Sequence, residues 1–326
     1  VRNIVSWNVI ISGYAQYSYG EEALEWFQRM QCESMLPNEV TFICILKACR
    51  STIAIMKGKE IHARDTSIEH NILIGTALVD MYVKCGALMK AQDMFDRLRI
   101  RNVISWNALI GGYAQHEHIP EALNCFEQMQ CEGLSPDAVS WNALIAGYAQ
   151  HGQYHKSANC FEQMKIEGLS PDVVTFICIL KACASEEAID KGRQVHDEIA
   201  SRGLVLRNTM LGNALVDMYA KCGALSKAEE VLEGLPGQDA GMWTALIAGH
   251  ALHGDSHSVL RCFERMEIKG LSPDEKTFSC VLNACSHSGL MDESQMYFTR
   301  MRAQYGLVPT VEHFTCMVDL FGRAGH

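Results

Sequence analysis

The hexapeptide SWNALI occupies residues 105–110 and returns unchanged at 140–145, with the variants SWNVII at 6–11 and MWTALI at 242–247. The segment TFICILKAC occurs identically at 41–49 and 175–183, and GLSPD occurs at 133–137, 168–172 and 270–274. Self-similarity at a spacing of roughly 20 to 50 residues is typical of repeat architectures. The spacing of these segments therefore decides the fold class.

The recurring segments divide the chain into nine repeat units and a truncated tenth. These units are 4–38, 39–71, 72–102, 103–137, 138–172, 173–208, 209–239, 240–274, 275–310 and 311–326. We expect them to form a single continuous array over residues 1–326. Because both termini fall inside a repeat unit, we also expect this array to be a fragment of a longer one.

The fourth repeat unit shows what each unit builds. Apolar residues from Trp106 to Tyr113 recur at helical spacing, and Ser105 is suited to cap this first helix. Pro120 suits the first position of a second helix, and Gly133 marks its end. One hairpin of ~35 residues cannot bury its apolar faces alone, whereas stacked hairpins can. The sequence predicts an all-α solenoid in which tryptophans such as Trp106 pack between units.

Composition limits the possible functions. The chain has 326 residues, 48% of them hydrophobic, and a formal net charge of −10. This charge argues against a protein that coats duplex nucleic acid through bulk electrostatics. Because no apolar stretch approaches the ~18 residues of a membrane helix, we expect no membrane association.

The fourteen cysteines recur at matching places inside apolar patterns, and no C-x-x-C pair occurs among them. This distribution predicts small buried side chains in a reducing compartment rather than a disulfide framework or a metal site. The sequence also lacks a P-loop, a G-x-S-x-G elbow and a dinucleotide-binding fingerprint. We therefore expect no cofactor, no small-molecule substrate and no catalytic residues in this part of the protein.

The segments SWNALIAGYAQHG, TFICILKAC and NALVDMYAKCGAL resemble the pentatricopeptide repeat family over essentially all of the chain. They are similar to its plant PLS subclass, in which units of about 35, 36 and 31 residues alternate. The resemblance implies a right-handed superhelical α-solenoid of helix-turn-helix repeats. It also implies binding of single-stranded RNA in organelles, at about one base per unit.

The resemblance further implies that two residues of a unit read one base. The first reader follows the aromatic residue of the first helix, and the second reader is the last residue of the unit. An ionised Asp accepts from the ring N–H of uracil or guanine, whereas Asn can donate to cytosine or adenine. The implied pairs are Asn8 with Asn38, Thr76 with Asn102, Asn107 with Asp137, Asn142 with Asp172, Asn213 with Asp239, and Thr244 with Asp274.

In the same scheme, the second residue of each unit is an apolar clamp that stacks on bases. These clamp residues are Val5, Val40, Leu73, Ile104, Val139, Val174 and Met210, and Gly241 and Lys276 depart from the pattern. Lys84 and Lys221 occupy a place that meets phosphate in the family. The units with Ile43, Ile177 and Ser279 at the first-reader place are expected to act as spacers. With family polarity assumed, the predicted ligand is 5′-Y-n-A-U-U-n-U-G-n-3′.

Three alternatives remain open at the level of sequence. The Asn and Asp residues are equally suited to capping helices and forming turns. The array could target the cytidine deaminase domain of a longer protein in organellar C-to-U editing, with editing-factor proteins as partners. It could also be a peptide-binding scaffold like tetratricopeptide arrays. The resemblance places the protein in a mitochondrion or chloroplast, with the mitochondrion favoured.

Overall fold

A computed structural model of the chain describes residues 3–17, 19–49, 71–205 and 208–323. Apart from a 3₁₀ residue at Val205, the regular secondary structure in these ranges is α-helical. The helices are α1 (Ile4–Gln16), α2 (Gly20–Cys32), α3 (Glu39–Ala48), α4 (Ile72–Lys84), α5 (Leu88–Arg97), α6 (Val103–Gln115), α7 (Ile119–Cys131), α8 (Ala138–Gln150), α9 (Tyr154–Ile166), α10 (Val173–Ser185), α11 (Ile189–Ser201), α12 (Thr209–Lys221), α13 (Leu225–Gly234), α14 (Ala240–Leu252), α15 (Ser256–Ile268), α16 (Glu275–Ser288), α17 (Met291–Ala303) and α18 (Val311–Arg323). No helix in these ranges is both long and apolar enough to cross a bilayer.

Except for the consecutive first helices α3 and α4, the described helices alternate between the first and second helix of a repeat unit. The ten first helices are α1, α3, α4, α6, α8, α10, α12, α14, α16 and α18, and each begins at the first residue of a sequence-derived unit. The second helix expected for unit 39–71 lies outside the described residues. The organisation of all units as one continuous array stays a prediction.

The chain divides into two compact bodies, Val1–His151 with Glu162–Ser170 and Gly152–Phe161 with Pro171–His326. In the first body, α4 packs against α5 and α6, and α6 packs against α7 and α8. In the second body, α12 packs against α13 and α14, and α14 packs against α15 and α16. Each of these first helices therefore contacts its own second helix and the next first helix, which is how stacked hairpins bury their apolar faces.

Both helices of the fourth unit begin before the position that the sequence suggested, by three residues for α6 and by one residue for α7. Ser105 is the third residue of α6 rather than its cap, because the cap is Asn102. The Asn102 side chain accepts from the Ser105 N–H at 2.8 Å, and the Asn102 N–H donates to the Ser105 hydroxyl at 3.1 Å. This reciprocal capping box satisfies two backbone donors at once. Similarly, Pro120 is the second residue of α7, not the first.

Second helices end as the GLSPD motif predicts. Gly133 has a φ of 78°, a left-handed conformation that glycine adopts without a Cβ clash. The Gly133 N–H donates to the carbonyl of Gln130 at 2.9 Å, and the Leu134 N–H donates to that of Met129 at 3.1 Å. These two bonds form a Schellman motif, which satisfies carbonyls at the helix end and turns the chain toward the next unit.

Tryptophans on the first helices are packing residues, as expected from the sequence. The Trp106 ring is 1% exposed and meets the edge of Phe95, from the preceding unit, at 4.4 Å between ring centroids. Trp141 meets Phe126 in the same way at 4.8 Å. A Cβ added to Gly112 would lie 2.5 Å from the Val83 side chain, so this glycine permits the close approach of α6 to α4.

Candidate functional site

The first turn of the first helices carries a row of exposed apolar side chains. The clamp residues are between 51% and 65% exposed, and they are Val5, Val40, Leu73, Ile104, Val139, Val174 and Met210. Burying apolar surface gains roughly 25 cal/mol per Å², so leaving one such residue at the same place in seven helices is costly for a free protein. Gly241 and Lys276, at the same place in α14 and α16, are also exposed. Each of these side chains is therefore suited to stacking against a flat apolar face.

The first and second readers of one unit touch in the unit that begins at residue 103. The Asn107 Nδ2 donates to Asp137 Oδ1 at 2.9 Å. Asp137 also caps α8, since its Oδ1 accepts from the Ser140 N–H at 3.0 Å. The Ser140 hydroxyl in turn donates to Asn107 Oδ1 at 2.5 Å. Among the described residues, Asp137 Oδ2 has no hydrogen-bond partner, so it is an acceptor available to a ligand.

Asp137 is held in its ionised form. Partial burial raises the pKa of its carboxyl, but hydrogen bonds from the Ser140 and Val139 backbone and the Asn107 and Ser140 side chains together lower this pKa below its ordinary value. A carboxylate accepts hydrogen bonds and donates none. The free oxygen therefore matches the ring N–H of uracil or guanine, as the residue type suggested.

The unit that begins at residue 4 repeats this geometry with an amide in place of the carboxylate. Asn8 Nδ2 donates to Asn38 Oδ1 at 3.0 Å, and the same oxygen accepts from the Thr41 N–H at 3.0 Å. The Thr41 hydroxyl donates to Asn8 Oδ1 at 2.6 Å. Because the three bonds to the Asn38 side chain, from Asn8, the Thr41 N–H and the Thr41 hydroxyl, all use its oxygen, its Nδ2 is left as a donor where Asp137 has a free acceptor.

The pair Asn213 and Asp239 is built differently. Asn213 Nδ2 donates to Asp239 Oδ2 at 3.2 Å, while Asp239 Oδ1 accepts from the Met242 N–H at 3.0 Å. Both carboxylate oxygens are therefore engaged. Met242 has no hydroxyl, and Asn213 Oδ1 is buried without a hydrogen-bond partner.

The two units whose first reader is threonine do not show a direct contact between the two readers. Asn102 caps α6, and the Thr76 hydroxyl is buried without a partner. Asp274 caps α16, while the Thr244 hydroxyl bonds the carbonyl of Ala240 at 2.8 Å and the Thr277 hydroxyl at 2.7 Å. The Thr244 hydroxyl is therefore already engaged within the protein.

Asn142 and Asp172 lie in different bodies, so each is described alone. Asn142 is 8% exposed, and Asp172 is an exposed residue that caps α10. Three of the six first readers are buried in the structure. Asn8 and Asn142 are each 8% exposed and Thr244 is 5% exposed. For Asn8 and Thr244 the cause is visible, because the third residue of the next first helix bonds to the reader.

Helix capping, which was the alternative explanation of the second readers, is a real property of all six. Each second reader accepts a hydrogen bond from a backbone N–H at the start of the next first helix. A carboxylate has two oxygens, so capping by one oxygen leaves the other for a ligand. Asp137 shows that the two roles are compatible, whereas Asp239 shows that compatibility depends on the neighbouring side chains.

The units expected to act as spacers lack a polar first reader that could face a base. Asn71 and Asn208 cap α4 and α12, but Ile43 and Ile177 stand where other units have Asn or Thr. In the unit that begins at residue 275, the buried His313 bonds the Ser279 hydroxyl at 3.1 Å. These three units offer no pair like Asn107 and Asp137.

The two lysines expected to meet phosphate are exposed but paired. The Lys84 ammonium bonds the Asp80 carboxylate one helical turn earlier, and Lys221 bonds Asp217 at 2.8 Å. Surface pairs of this kind contribute only about 0.3 to 0.5 kcal/mol. A phosphate could displace either carboxylate at small cost, but the local net charge of each pair is zero.

One group of possible metal ligands occurs among the described residues, formed by Glu229, His250 and Cys262. Glu229 already pairs with Arg261 at 3.2 Å, and burial raises the pKa of the Cys262 thiol to about 11. A metal ion would have to displace the guanidinium and deprotonate this thiol. The simpler interpretation is that these three side chains pack together where α13, α14 and α15 meet.

Sequence reasoning missed the third residue of the first helices. Ser140, Thr41 and Thr277 each bond a first reader of the preceding unit. The signal was present, because a Ser or Thr three residues after an Asn or Asp is a capping-box pattern. Assigning the cap to Ser105 instead of Asn102 hid this pattern in the fourth unit.

Family models match most of the chain. The model described as the PPR repeat family matches residues 2–51, 101–140, 136–185 and 238–287, which together exceed half of the chain. A second model, described as PPR repeat, matches residues 76–103, 213–237 and 276–304. The matched segments contain the Asn107–Asp137 and Asn8–Asn38 pairs.

The curated relatives are plant proteins. A pentatricopeptide repeat-containing protein of Arabidopsis thaliana is 36% identical over 329 residues, covering 100% of this chain and 52% of that protein. A putative pentatricopeptide repeat-containing protein of the same plant is 35% identical, covering 99% of this chain and 41% of that protein. A third, labelled mitochondrial, is 36% identical, covering 100% of this chain and 47% of that protein. The chain thus spans about half the length of the curated relatives it matches.

Solved structures support the fold. The crystal structure of the pentatricopeptide repeat protein PPR10 in complex with an 18-nt psaJ RNA element aligns with a TM-score of 0.73 at 17% identity, covering 93% of this chain and 45% of that one. PPR10 from maize aligns with a TM-score of 0.50 at 18% identity, covering 100% and 57%. The predicted fold class, an all-α solenoid of helix-turn-helix repeats, is confirmed.

Proposed function

Because the chain belongs to the pentatricopeptide repeat family, we propose that it binds single-stranded RNA, with one base held at each reading unit. The unit lengths, which alternate near 35, 36 and 31 residues, favour an array of the plant PLS subclass. The relative PPR10 is described as bound to an RNA element, which is consistent with this proposal.

The observation that carries the proposal is the coincidence of two features on the same helices. The second residue of the first helix is an exposed apolar side chain, and the second reader that caps the next first helix presents a polar edge. An unpaired base has two apolar faces and one polar edge, so it matches this combination. In the unit that begins at residue 103, Ile104 would stack on the face while Asp137 Oδ2 accepts from the edge.

Single-stranded rather than duplex RNA fits the clamp residues. A clamp residue can stack only on a base that has left its own stack, and a double helix offers no such faces. The net charge of −10 also disfavours binding driven by phosphate contacts alone. The affinity would then come from stacking and base edges, with a smaller dependence on salt than that of a basic protein.

Residue chemistry assigns the bases. Asp at the second-reader place favours U or G, and Asn favours C or A. The proposed ligand is 5′-Y-n-A-U-U-n-U-G-n-3′, in which n marks spacer units. We assign the fourth base, U, to Asn107 and Asp137, and the seventh base, U, to Asn213 and Asp239.

The test is fluorescence anisotropy with labelled RNA at one fixed salt concentration. One oligonucleotide carries the proposed sequence, and its control has a transversion at each of the A, U and G positions. We expect the control to bind at least ~30-fold more weakly, since a single mismatch costs ~1–3 kcal/mol in related recognition. Equal affinity for both would refute base reading, and no binding to either would favour a peptide-binding scaffold instead.

We further propose that this recognition takes place in an organelle and selects a site for RNA processing or C-to-U editing. One relative is labelled mitochondrial, which supports an organellar location. In this proposal the array selects the site, and a deaminase domain or an editing-factor protein supplies the chemistry. RNA recovered by crosslinking from mitochondria and chloroplasts would test it, and enrichment of only cytosolic transcripts would contradict it.

A further inference from the structure

The two Asn–Asp pairs of the chain that can be compared directly differ at two neighbouring positions, the second residue of the next first helix, which is Val139 or Gly241, and the third. Asn107 with Asp137 and Asn213 with Asp239 have the same residue types, so residue identity alone assigns both to uracil. The third residue of the next first helix is Ser140 in one case and Met242 in the other. The consequences for the readers are visible in their hydrogen bonds.

Ser140 fixes the orientation of the Asn107 amide. A hydroxyl has one hydrogen, and its shortest contact, at 2.5 Å, is with Asn107 Oδ1. With its oxygen held there, the amide must turn Nδ2 toward Asp137 Oδ1, which it meets at 2.9 Å. The hydrogen bonds from Asn107 Nδ2, the Ser140 N–H and the Ser140 hydroxyl to the Asp137 side chain all fall on Oδ1, which leaves Oδ2 for a base.

Met242 cannot do this. Asn213 Oδ1 is buried with no hydrogen-bond partner, and its Nδ2 meets Asp239 Oδ2 at a longer 3.2 Å. The other oxygen of Asp239 is engaged with the Met242 N–H. A base at this unit must therefore compete with Asn213 for the carboxylate, and among the described residues the bond to Asp239 is the one hydrogen bond that orients the Asn213 amide.

Two other units show the same contact, whereas in the unit that begins at residue 72 the Ser105 hydroxyl bonds the Asn102 carbonyl and the Thr76 hydroxyl is buried without a partner. The Thr41 hydroxyl bonds Asn8, and the Thr277 hydroxyl bonds Thr244. Where the first reader is apolar, as with Ile43 and Ile177, the third residue of the next first helix is also apolar. A helix cap alone would not produce this match, because Asn71 and Asn208 cap their helices without a hydroxyl at the third residue.

We propose that the third residue of a first helix is a positioning residue for base specificity where the first reader of the preceding unit is Asn. A Ser or Thr there orients the Asn amide and leaves one side-chain polar atom of the second reader free for the base. This inference rests on the proposed RNA binding. It implies that unit 103–137 distinguishes U from C more strongly than unit 209–239 does, although both carry the Asn–Asp pair.

The test measures Kd for oligonucleotides that differ only by U or C at the fourth or the seventh base. The variants are Ser140→Ala, the conservative Ser140→Thr, and Met242→Thr, with Asp137→Asn as a reference that alters the base-reading group itself. Ser140→Ala should lower the U-over-C preference at the fourth base roughly five- to tenfold, the worth of about one hydrogen bond. Ser140→Thr should retain the preference, and Met242→Thr should raise it at the seventh base.

Met242 is fully buried against Gly212, so its replacement leaves a cavity, and the melting temperature must show that this variant is folded. If Met242→Thr does not fold, the comparison of Ser140→Ala with Ser140→Thr decides whether the proposal holds. The proposal is overturned if Ser140→Ala weakens both oligonucleotides equally, which is a purely structural effect. It is also overturned if Ser140→Ala keeps the preference while Asp137→Asn changes it, an outcome that leaves the proposed function intact. Absence of RNA binding by the unaltered chain would overturn both proposals.

Discussion

Replacement of Asp137 by Asn exchanges one hydrogen-bond acceptor for a donor with little other change. The chain itself shows the result, because Asn38 occupies the equivalent place. Its single oxygen accepts from both the Thr41 N–H and Asn8 Nδ2, at 3.0 Å each. An Asn at position 137 can satisfy the Ser140 N–H and Asn107 in the same way, and it then presents Nδ2 where Oδ2 stood.

The magnitude follows from this geometry. A hydrogen bond from the uracil ring N–H to a carboxylate is worth ~1.5–3 kcal/mol, and the variant replaces it with two opposed donors. Cytosine, whose ring nitrogen is an acceptor, gains about 1 kcal/mol. We therefore expect the U-over-C preference at the fourth base to fall by at least ~30-fold, equivalent to ~2 kcal/mol. Asn and Asp cap helices about equally well, so stability should change by less than ~0.5 kcal/mol.

The assay is anisotropy titration with two oligonucleotides that differ only at the fourth base, alongside thermal melting. Asp255→Asn is the matched control, because Asp255 also caps a helix but lies at the start of the second helix α15. We expect the control to leave the base preference unchanged. A folded Asp137→Asn variant with the unaltered U-to-C ratio would refute the assignment of this carboxylate to the base edge.

Three further outcomes can be measured. Ile104→Ala should weaken binding to all RNAs by roughly five- to tenfold, because it removes ~1 kcal/mol of stacking. Ile166 is also exposed but lies on a second helix, so Ile166→Ala should leave binding unchanged. Equal effects of the two variants in anisotropy titrations would argue against the clamp residues. Asp137 has a pKa below its ordinary value, so its stabilising contribution is present at neutral pH and is lost only as the pH falls through that lowered pKa. The preference for U should therefore be the same at about pH 7 and about pH 5. A decline in this preference between the two pH values would contradict the ionised state of Asp137. Burial raises the pKa of Cys125 to about 12, while Cys131 on the same helix is exposed, so mass spectrometry should show fast alkylation of Cys131 and modification of Cys125 only on unfolding.

Periodicity and recurring segments predicted the helical hairpins well, because both depend on short-range sequence. Each described first helix begins where the recurrence of segments places a new unit. The cap assignment at Ser105 was wrong because Ser and Asn are both good caps, and only coordinates reveal which of the two is extended. The Asn102 backbone, with φ −125° and ψ 171°, is the extended one.

The environment of the first readers could not be predicted from one unit at a time. Asn8 and Asn107 look equivalent in sequence, yet Asn8 is buried and Asn107 is only half-buried. Their surroundings depend on the next first helix, some thirty residues later. The ion pairs of Lys84 and Lys221 were readable, because Asp80 and Asp217 precede them by one helical turn.

The residue that closes one repeat unit also starts the helix of the next. Asp137 accepts a hydrogen bond from Asn107 behind it and caps α8 ahead of it, and the Ser140 hydroxyl bonds Asn107. Transplanting residues 103–137 between such proteins would thus separate the pair from its serine, whereas a segment from 103 to 140 would carry all three. Chimeras that join two such proteins after the serine should therefore keep their base preference better than chimeras joined at the repeat boundary. The same holds for natural recombination between repeats.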